Sequence, residues 1–200
     1  MKRSRRARVG LSAVVLAFAV SAFVVGGEII PAGYRPPVKV DGVVFPVARA
    51  DWLSVINFTD DWHAPRMRLV GKRWVQSGIH EGTDILAEPG TPIRAMTAGE
   101  VENLGWLFYS GWRVGIRGDD GSYYFYAHMT EFAPGLSTGD EVSAGETIGF
   151  VGNTGYGTKE GHHDEFIYHL HVGIQEPDGR WINPFPLLED LYREAVETDR

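Results

Sequence analysis

Apolar and polar residues alternate over short runs along most of this chain, and glycine ends each run before it reaches helical length. The clearest runs are residues 113–117 (RVGIR), 123–127 (YYFYA) and 147–151 (TIGFV), rich in the β-branched and aromatic side chains that fit a pleated surface. Gly118-Asp119-Asp120-Gly121 separates the first two as a hairpin turn. Gly139, Gly145, Gly149, Gly152 and Gly155 punctuate the stretch that follows, with Asn153-Thr154-Gly155 the strongest turn signal among them. Strands succeeding one another through tight turns predict a mainly β fold of antiparallel sheets. One segment departs from this pattern. Across residues 186–198, Leu187, Leu188, Leu191, Tyr192 and Ala195 fall on one stripe, which predicts a short C-terminal helix packed against the sheet.

The beginning of the chain has a different character. Lys2, Arg3, Arg5, Arg6 and Arg8 precede an uncharged run over residues 9–27, which predicts an N-terminal hydrophobic helix serving as a signal peptide or membrane anchor. Cations ahead of an apolar run stay on the cytoplasmic side, so the expectation is an exported protein of the cell envelope. Val20-Ser21-Ala22 offers a small-residue cleavage site, and the run is longer than a typical cleaved core. Pro31, Pro36, Pro37 and Pro46 then mark residues 28–55 as a linker with one or two marginal strands. A domain over residues 56–185 and the helix of residues 186–200 complete the expected organisation.

Composition narrows the chemistry. The chain has 200 residues and no cysteine, which removes disulfides, thiol nucleophiles and cysteine-ligated metals. Of its 19 Lys and Arg, five lie in the N-terminal segment, so 14 face 26 Asp and Glu in the remainder. An acidic surface repels phosphate backbones, and no nucleic acid partner is expected.

Histidines and one aspartate carry the candidate chemistry. His80 and Asp84 form a His-x-x-x-Asp pair, His128 stands alone in Tyr126-Ala127-His128, and His169 and His171 form a His-x-His. On a strand His169 and His171 share a face, with Leu170 and Val172 on the other. Gly82, Thr83 and Ile85 favour a loop running into a strand, which makes His80 a loop residue and Asp84 a strand residue. Five such residues supply a three-ligand zinc site with two imidazoles left for proton transfer, since catalytic zinc takes three N or O ligands and keeps a fourth position open. Spacing alone does not say which histidines bind the ion.

Residues from about 56 to 184 resemble the lysostaphin-type zinc endopeptidases, a family of bacterial cell-wall hydrolases. The resemblance rests on residues 58–66 (FTDDWHAPR), 80–95 (HEGTDILAEPGTPIRA), 98–101 (AGEV), 126–129 (YAHM), 139–155 (GDEVSAGETIGFVGNTG) and 169–174 (HLHVGI), in the family's order. It implies one zinc ion held by His80, Asp84 and His171, with His169 and His128 as catalytic imidazoles. The implied reaction is hydrolysis of peptide bonds in peptidoglycan, with His169 as general base and His128 stabilising the oxyanion, the two roles being exchangeable. The competing reading is a non-hydrolytic protein of the same fold that binds peptidoglycan or activates another hydrolase.

Two stretches depart from the family pattern. Residues 156–168 (YGTKEGHHDEFIY) form an insertion that reads as a polar loop, or as a groove wall able to bring His163 or Asp164 near the metal. Trp74 stands where some members carry a tyrosine, and its indole can donate a hydrogen bond but cannot exchange a proton. Trp106, Phe108, Tyr109 and Trp112 form an aromatic cluster that reads either as core cover or as groove lining.

Overall fold

The computed structural model describes residues 22–25, 28–31, 42–47, 57–163 and 166–197. Two compact units divide the chain, Met1–Tyr34 and Arg35–Arg200. In the first, β1 (Ala22–Val25) pairs antiparallel with β2 (Glu28–Pro31). The N-terminal hydrophobic helix expected over residues 9–27 lies for the most part outside the described residues, and its last part, 22–25, is a strand. Among the described residues no helix is long and apolar enough to cross a membrane.

The second unit contains a hairpin, β3 (Pro65–Val70) with β4 (Arg73–Ile79), and one antiparallel sheet of nine strands. The sheet comprises β5 (Thr83–Leu86), β6 (Pro92–Arg94), β7 (Gly99–Leu107), β8 (Gly111–Gly118), β9 (Tyr123–Phe132), β10 (Glu141–Val142), β11 (Thr147–Val151), β12 (His169–Gln175) and β13 (Trp181–Ile182). Its main path runs β10-β7-β8-β9-β11-β6, and β12 joins through β9 while carrying β5 and β13. The long strand β9 makes this branching possible. Its first half pairs with β12, from Tyr123↔Gln175 to Ala127↔His171, and its second half pairs with β11. Between the halves lies His128, which takes a left-handed φ of 63°.

Alternation along the strands decides what is buried. Leu170 and Val172 of β12, Val114 and Ile116 of β8, and Tyr126 of β9 are fully enclosed on one face. The opposite face of the same strands carries His169, His171, Phe125 and Arg113. The helix α1 (Phe185–Glu197) follows the predicted stripe, with Leu188 and Leu191 in the core. Residues 42–47, within the stretch read as a linker, also belong to the core: Phe45 and Val47 are buried, and Val47 bridges to Ile93. Phe45 packs against Tyr192 of the helix with ring centroids 5.3 Å apart.

Tyr126 ties the core to the loop before β7, because its buried hydroxyl accepts a hydrogen bond from the Met96 backbone N–H at 2.7 Å. Removing the hydroxyl while keeping the ring leaves that N–H enclosed without a partner. Tyr126→Phe is therefore expected to destabilise the domain by about 1–3 kcal/mol in urea unfolding with an unchanged slope; an unaltered midpoint contradicts this reading.

Candidate metal centre

Strand pairing brings the first two functional side chains together. In the β5–β12 ladder Asp84 lies directly opposite His171, so both side chains rise from the same face. His171 Nδ1 is 2.8 Å from Asp84 Oδ1. His80, in the loop between β4 and β5, then closes the group: its Nε2 lies 2.9 Å from His171 Nδ1 and 3.1 Å from Asp84 Oδ1. The loop and strand placements match the sequence expectation. Gly82 is required between them by space, because a Cβ there would stand 2.6 Å from His171 Nε2.

Each member is held from behind. His80 Nδ1 faces the Asp61 carboxylate at 2.8 Å, which fixes the ring with its other nitrogen turned inward. Asp84 Oδ2 accepts a hydrogen bond from Arg66 Nη2 at 3.0 Å, which leaves Oδ1 for the centre. Neither Asp61 nor Arg66 is evident as a site residue in the sequence, since the β3–β4 hairpin alone brings Arg66 round to Asp84.

The electrostatics of the group favour a cation. Burial acts to lower the pKa of His80, but hydrogen bonds with Asp61 and Asp84 outweigh it and raise the value to about 9. For Asp84 burial acts upward, and hydrogen bonds with His171 and His80 overcome it, holding the carboxyl well below its usual range. Burial pushes His171 down, opposed by Asp84. Asp84 is thus held as a carboxylate between the two imidazoles, with His171 favoured as the neutral ring. His80, Asp84 and His171 form a group that could hold a metal ion. Their 2.8–3.1 Å separations approach the about 3.3 Å between ligands of a tetrahedral ion with bonds of about 2.0–2.1 Å. Two imidazole nitrogens and one carboxylate oxygen are also the donor types that zinc accepts. The residues therefore fit the ion.

His169 and His128 stand beside this group, with ring centroids 4.7 Å apart. His169 donates from Nδ1 to the Ile167 carbonyl at 2.7 Å, and its Nε2 is 3.8 Å from Asp84 Oδ1. His128 likewise donates from Nδ1 to the Thr154 carbonyl at 2.7 Å. Because a carbonyl only accepts, both neutral rings present a bare Nε2 lone pair. Burial, reinforced by His169 and His171, lowers the pKa of His128 to about 3.

The insertion takes part in the site through residues that the sequence reading passed over. Tyr156 lies parallel to His128, with centroids 6.3 Å apart, and Phe166 packs edge-on to His128 and tilted against His169 at 5.2 and 5.3 Å. His162 and His163 are exposed, and His163 bridges to Thr154 through backbone; Asp164 lies outside the described residues. Trp74, on β4, is 67% exposed. The aromatic cluster divides: Trp106 packs on Trp112 and donates to the Gly157 carbonyl, while Phe108 and Tyr109 remain exposed.

Comparison with known proteins agrees with this geometry. The chain is 44% identical over 113 residues to the L-Ala–D-Glu endopeptidase of Bacillus subtilis (strain 168), a match covering 55% of this chain and 34% of that protein. It is 36% identical over 86 residues to lysostaphin of Staphylococcus staphylolyticus, covering 42% of this chain and 18% of the relative. The chain thus spans about a third or less of the length of these relatives. A solved structure from Ruminococcus gnavus ATCC 29149, assigned as a glycyl-glycine endopeptidase lytM, superposes with a TM-score of 0.64 at 40% identity, covering 76% of this chain and 61% of that one. Residues 78–184, more than half of the chain and including all five candidate residues, match peptidase family M23, and the chain belongs to that family.

Proposed function

We propose that this protein is an exported zinc endopeptidase that hydrolyses peptide bonds in bacterial peptidoglycan. The observation that carries the reading is the convergence of His80 Nε2, Asp84 Oδ1 and His171 Nδ1 beside two imidazoles with free Nε2 lone pairs. The substrate class follows from membership of a peptidase family together with likeness to an enzyme named for an L-Ala–D-Glu bond, D-Glu being a cell-wall amino acid. Export, with residues 1–27 as signal or anchor, is supported by the five cations and the apolar run of the sequence.

Held by His80, Asp84 and His171, a zinc ion would supply Lewis-acid polarisation of the scissile carbonyl and an acidified water. His169 is the general base: its Nδ1–H is anchored on Ile167, and its Nε2 points toward the centre, placed to take the proton of the attacking water and pass it to the leaving amine. His128 lies across from it. With Nδ1 committed to Thr154, His128 can donate to an oxyanion from Nε2 only as the imidazolium, which its burial opposes. The negative charge that develops in the tetrahedral intermediate is what would offset that cost. Tyr156 and Phe166 pack against the His128 ring, and Phe166 also against that of His169. The competing reading, a non-hydrolytic binding protein, has no observation in its favour at a site with all five residues in place.

Metal content separates ligands from proton carriers. After dialysis, His171→Ala and Gly82→Ala are expected to lose zinc, the second because its Cβ displaces His171. His169→Ala is expected to keep about one zinc per chain while turnover of purified sacculi falls by roughly 10²–10⁴. Loss of zinc from His169→Ala as readily as from His171→Ala refutes the ligand assignment.

The role of His128 is open to a neutral donor. His128→Ala is expected to cost roughly 10²–10³ in turnover, and His128→Gln, whose amide can donate from near the Nε2 position, to recover roughly tenfold of it. Equal inactivity of the two variants would assign His128 to proton abstraction and exchange its role with that of His169.

A further inference from the structure

Among the described residues the β3–β4 hairpin pairs with no other strand, and all of its side chains described from Met67 to Ile79 are exposed. A two-stranded ribbon bare on both faces is marginal in water, so its composition bears on what covers it. Residues 62–80 hold four cations, Arg66, Arg68, Lys72 and Arg73, and no Asp or Glu, although the chain as a whole has 26 acidic residues against 19 Lys and Arg. Arg66 is engaged with Asp84. Arg68, Lys72 and Arg73 have no ion-pair partner among the described residues.

The register sorts these side chains into two unlike faces. Met67 pairs with Gln76, and Trp74 is two residues from Gln76 on β4, so Met67, Trp74 and Gln76 share one face. Arg68 pairs with Val75 and Val70 with Arg73, which puts both arginines on the other face, and Lys72 lies in the turn between the strands. The first face is uncharged and bare: Trp74 is 67% exposed and Met67 49%. Contiguous apolar area left uncovered on a folded surface marks a place of interaction. Trp74 is also removed from the chemistry, since a rise of about 3.3 Å per residue puts it roughly 20 Å along β4 from His80. The root of the ribbon, by contrast, is tied to the centre. The His63 N–H donates to the His80 carbonyl at 2.8 Å, the His80 N–H donates to the Ala64 carbonyl at 2.9 Å, and Arg66 holds Asp84.

We propose that the β3–β4 hairpin is a docking element for an anionic phospholipid surface. An amphipathic segment laid on a bilayer buries its apolar face at the boundary of headgroups and acyl chains, where the apolar ring and polar N–H of tryptophan are both accommodated. Trp74 and Met67 supply that face. Arg68, Lys72 and Arg73 then meet the headgroup phosphates, with their apolar stems along the ribbon and their charges in the polar layer. A soluble polyanion would satisfy the cations and leave Trp74 and Met67 in water, and a second copy of the chain would bring the same cations together. A phospholipid surface meets both faces at once. Because the root of the hairpin is tied to His80 and Asp84, docking would fix how the metal centre faces the bilayer.

The chain has no cysteine, so a single introduced one carries a probe to a chosen position. The test uses the full chain with an environment-sensitive fluorophore on Gln76→Cys and, for comparison, on Thr138→Cys in the exposed turn before β10. An N-terminal segment that enters the bilayer would bring both probes to the vesicle, and only docking of the hairpin would separate them. With vesicles of phosphatidylcholine and phosphatidylglycerol, the probe at position 76 is expected to shift to the blue and to be quenched by brominated lipid, and the probe at position 138 to do neither. Vesicles of phosphatidylcholine alone are expected to give a much smaller shift. Joint Arg68→Gln and Arg73→Gln substitution is expected to lower the ratio of docked to free hairpin by roughly 10- to 30-fold at an unchanged thermal midpoint, each cation near an anionic surface being worth about fivefold. Trp74→Ser is expected to lower it as well. Equal signals from the two probes overturn the proposal, as does a shift at position 76 that survives the double substitution. A shift produced without lipid by soluble polyphosphate or by sacculi overturns it in favour of a polymer, and one that grows with protein concentration alone overturns it in favour of self-association.

Discussion

The site depends on one cross-strand pair. Because β5 and β12 run antiparallel with Asp84 opposite His171, a carboxylate oxygen and an imidazole nitrogen meet at 2.8 Å without any loop having to carry them there. The pleat then places His169 two residues along the same face, and the short loop before β5 brings His80 over the pair. A slip of one residue in this ladder would turn both histidines of β12 into the core and Leu170 and Val172 out of it. The fully enclosed positions of Leu170 and Val172 make that slip costly, so the hydrophobic core fixes the register and the register fixes the donor geometry.

A second constraint acts on the imidazoles. Every histidine of the site has one ring nitrogen tied to a fixed partner or to Asp84: His80 to Asp61, His128 to Thr154, His169 to Ile167 and His171 to Asp84. The rings of His80, His128 and His169 are thereby oriented with the other nitrogen turned to the site, whereas His171 meets Asp84 through the same Nδ1 that faces the centre. The carbonyl that anchors His128, of Thr154, lies just before the insertion and the one that anchors His169, of Ile167, lies within it, while Tyr156 and Phe166 of that insertion pack against the rings. What looks like a polar surface loop is thus a support for the His128 and His169 rings.

The repeating pattern of the sequence made much of this legible. Period-two alternation identified the strands at 113–117, 123–127 and 147–151 and the shared face of His169 and His171, glycines marked the Gly118–Gly121 turn, and an apolar stripe at helical spacing marked the C-terminal helix, because each is a local consequence of burial on one side or of turn geometry. The loop position of His80 and the strand position of Asp84 followed from Gly82, Thr83 and Ile85. What the sequence withheld depends on long-range register or on backbone atoms. Asp61 and Arg66 reach the centre because β3 folds back on β4, and Thr154 acts through its carbonyl. Residues 42–47 also looked like linker because their prolines and short apolar runs carry no period, yet Phe45 and Val47 fill the core. Residues 1–21, on which the expectation of a signal or anchor rests, lie outside the described residues.

The central claim is that the convergence of His80, Asp84 and His171 makes this chain a metal-dependent endopeptidase of the cell wall. Its most direct test is mass spectrometry of the fragments released from purified peptidoglycan by the zinc-loaded protein and by the same protein stripped with a chelator. The account predicts that the loaded protein releases peptide fragments with one new amino terminus in common, that stripping abolishes release, and that added zinc restores it. Fragments that appear equally with and without the metal, or no new amino terminus from the loaded protein, would contradict it.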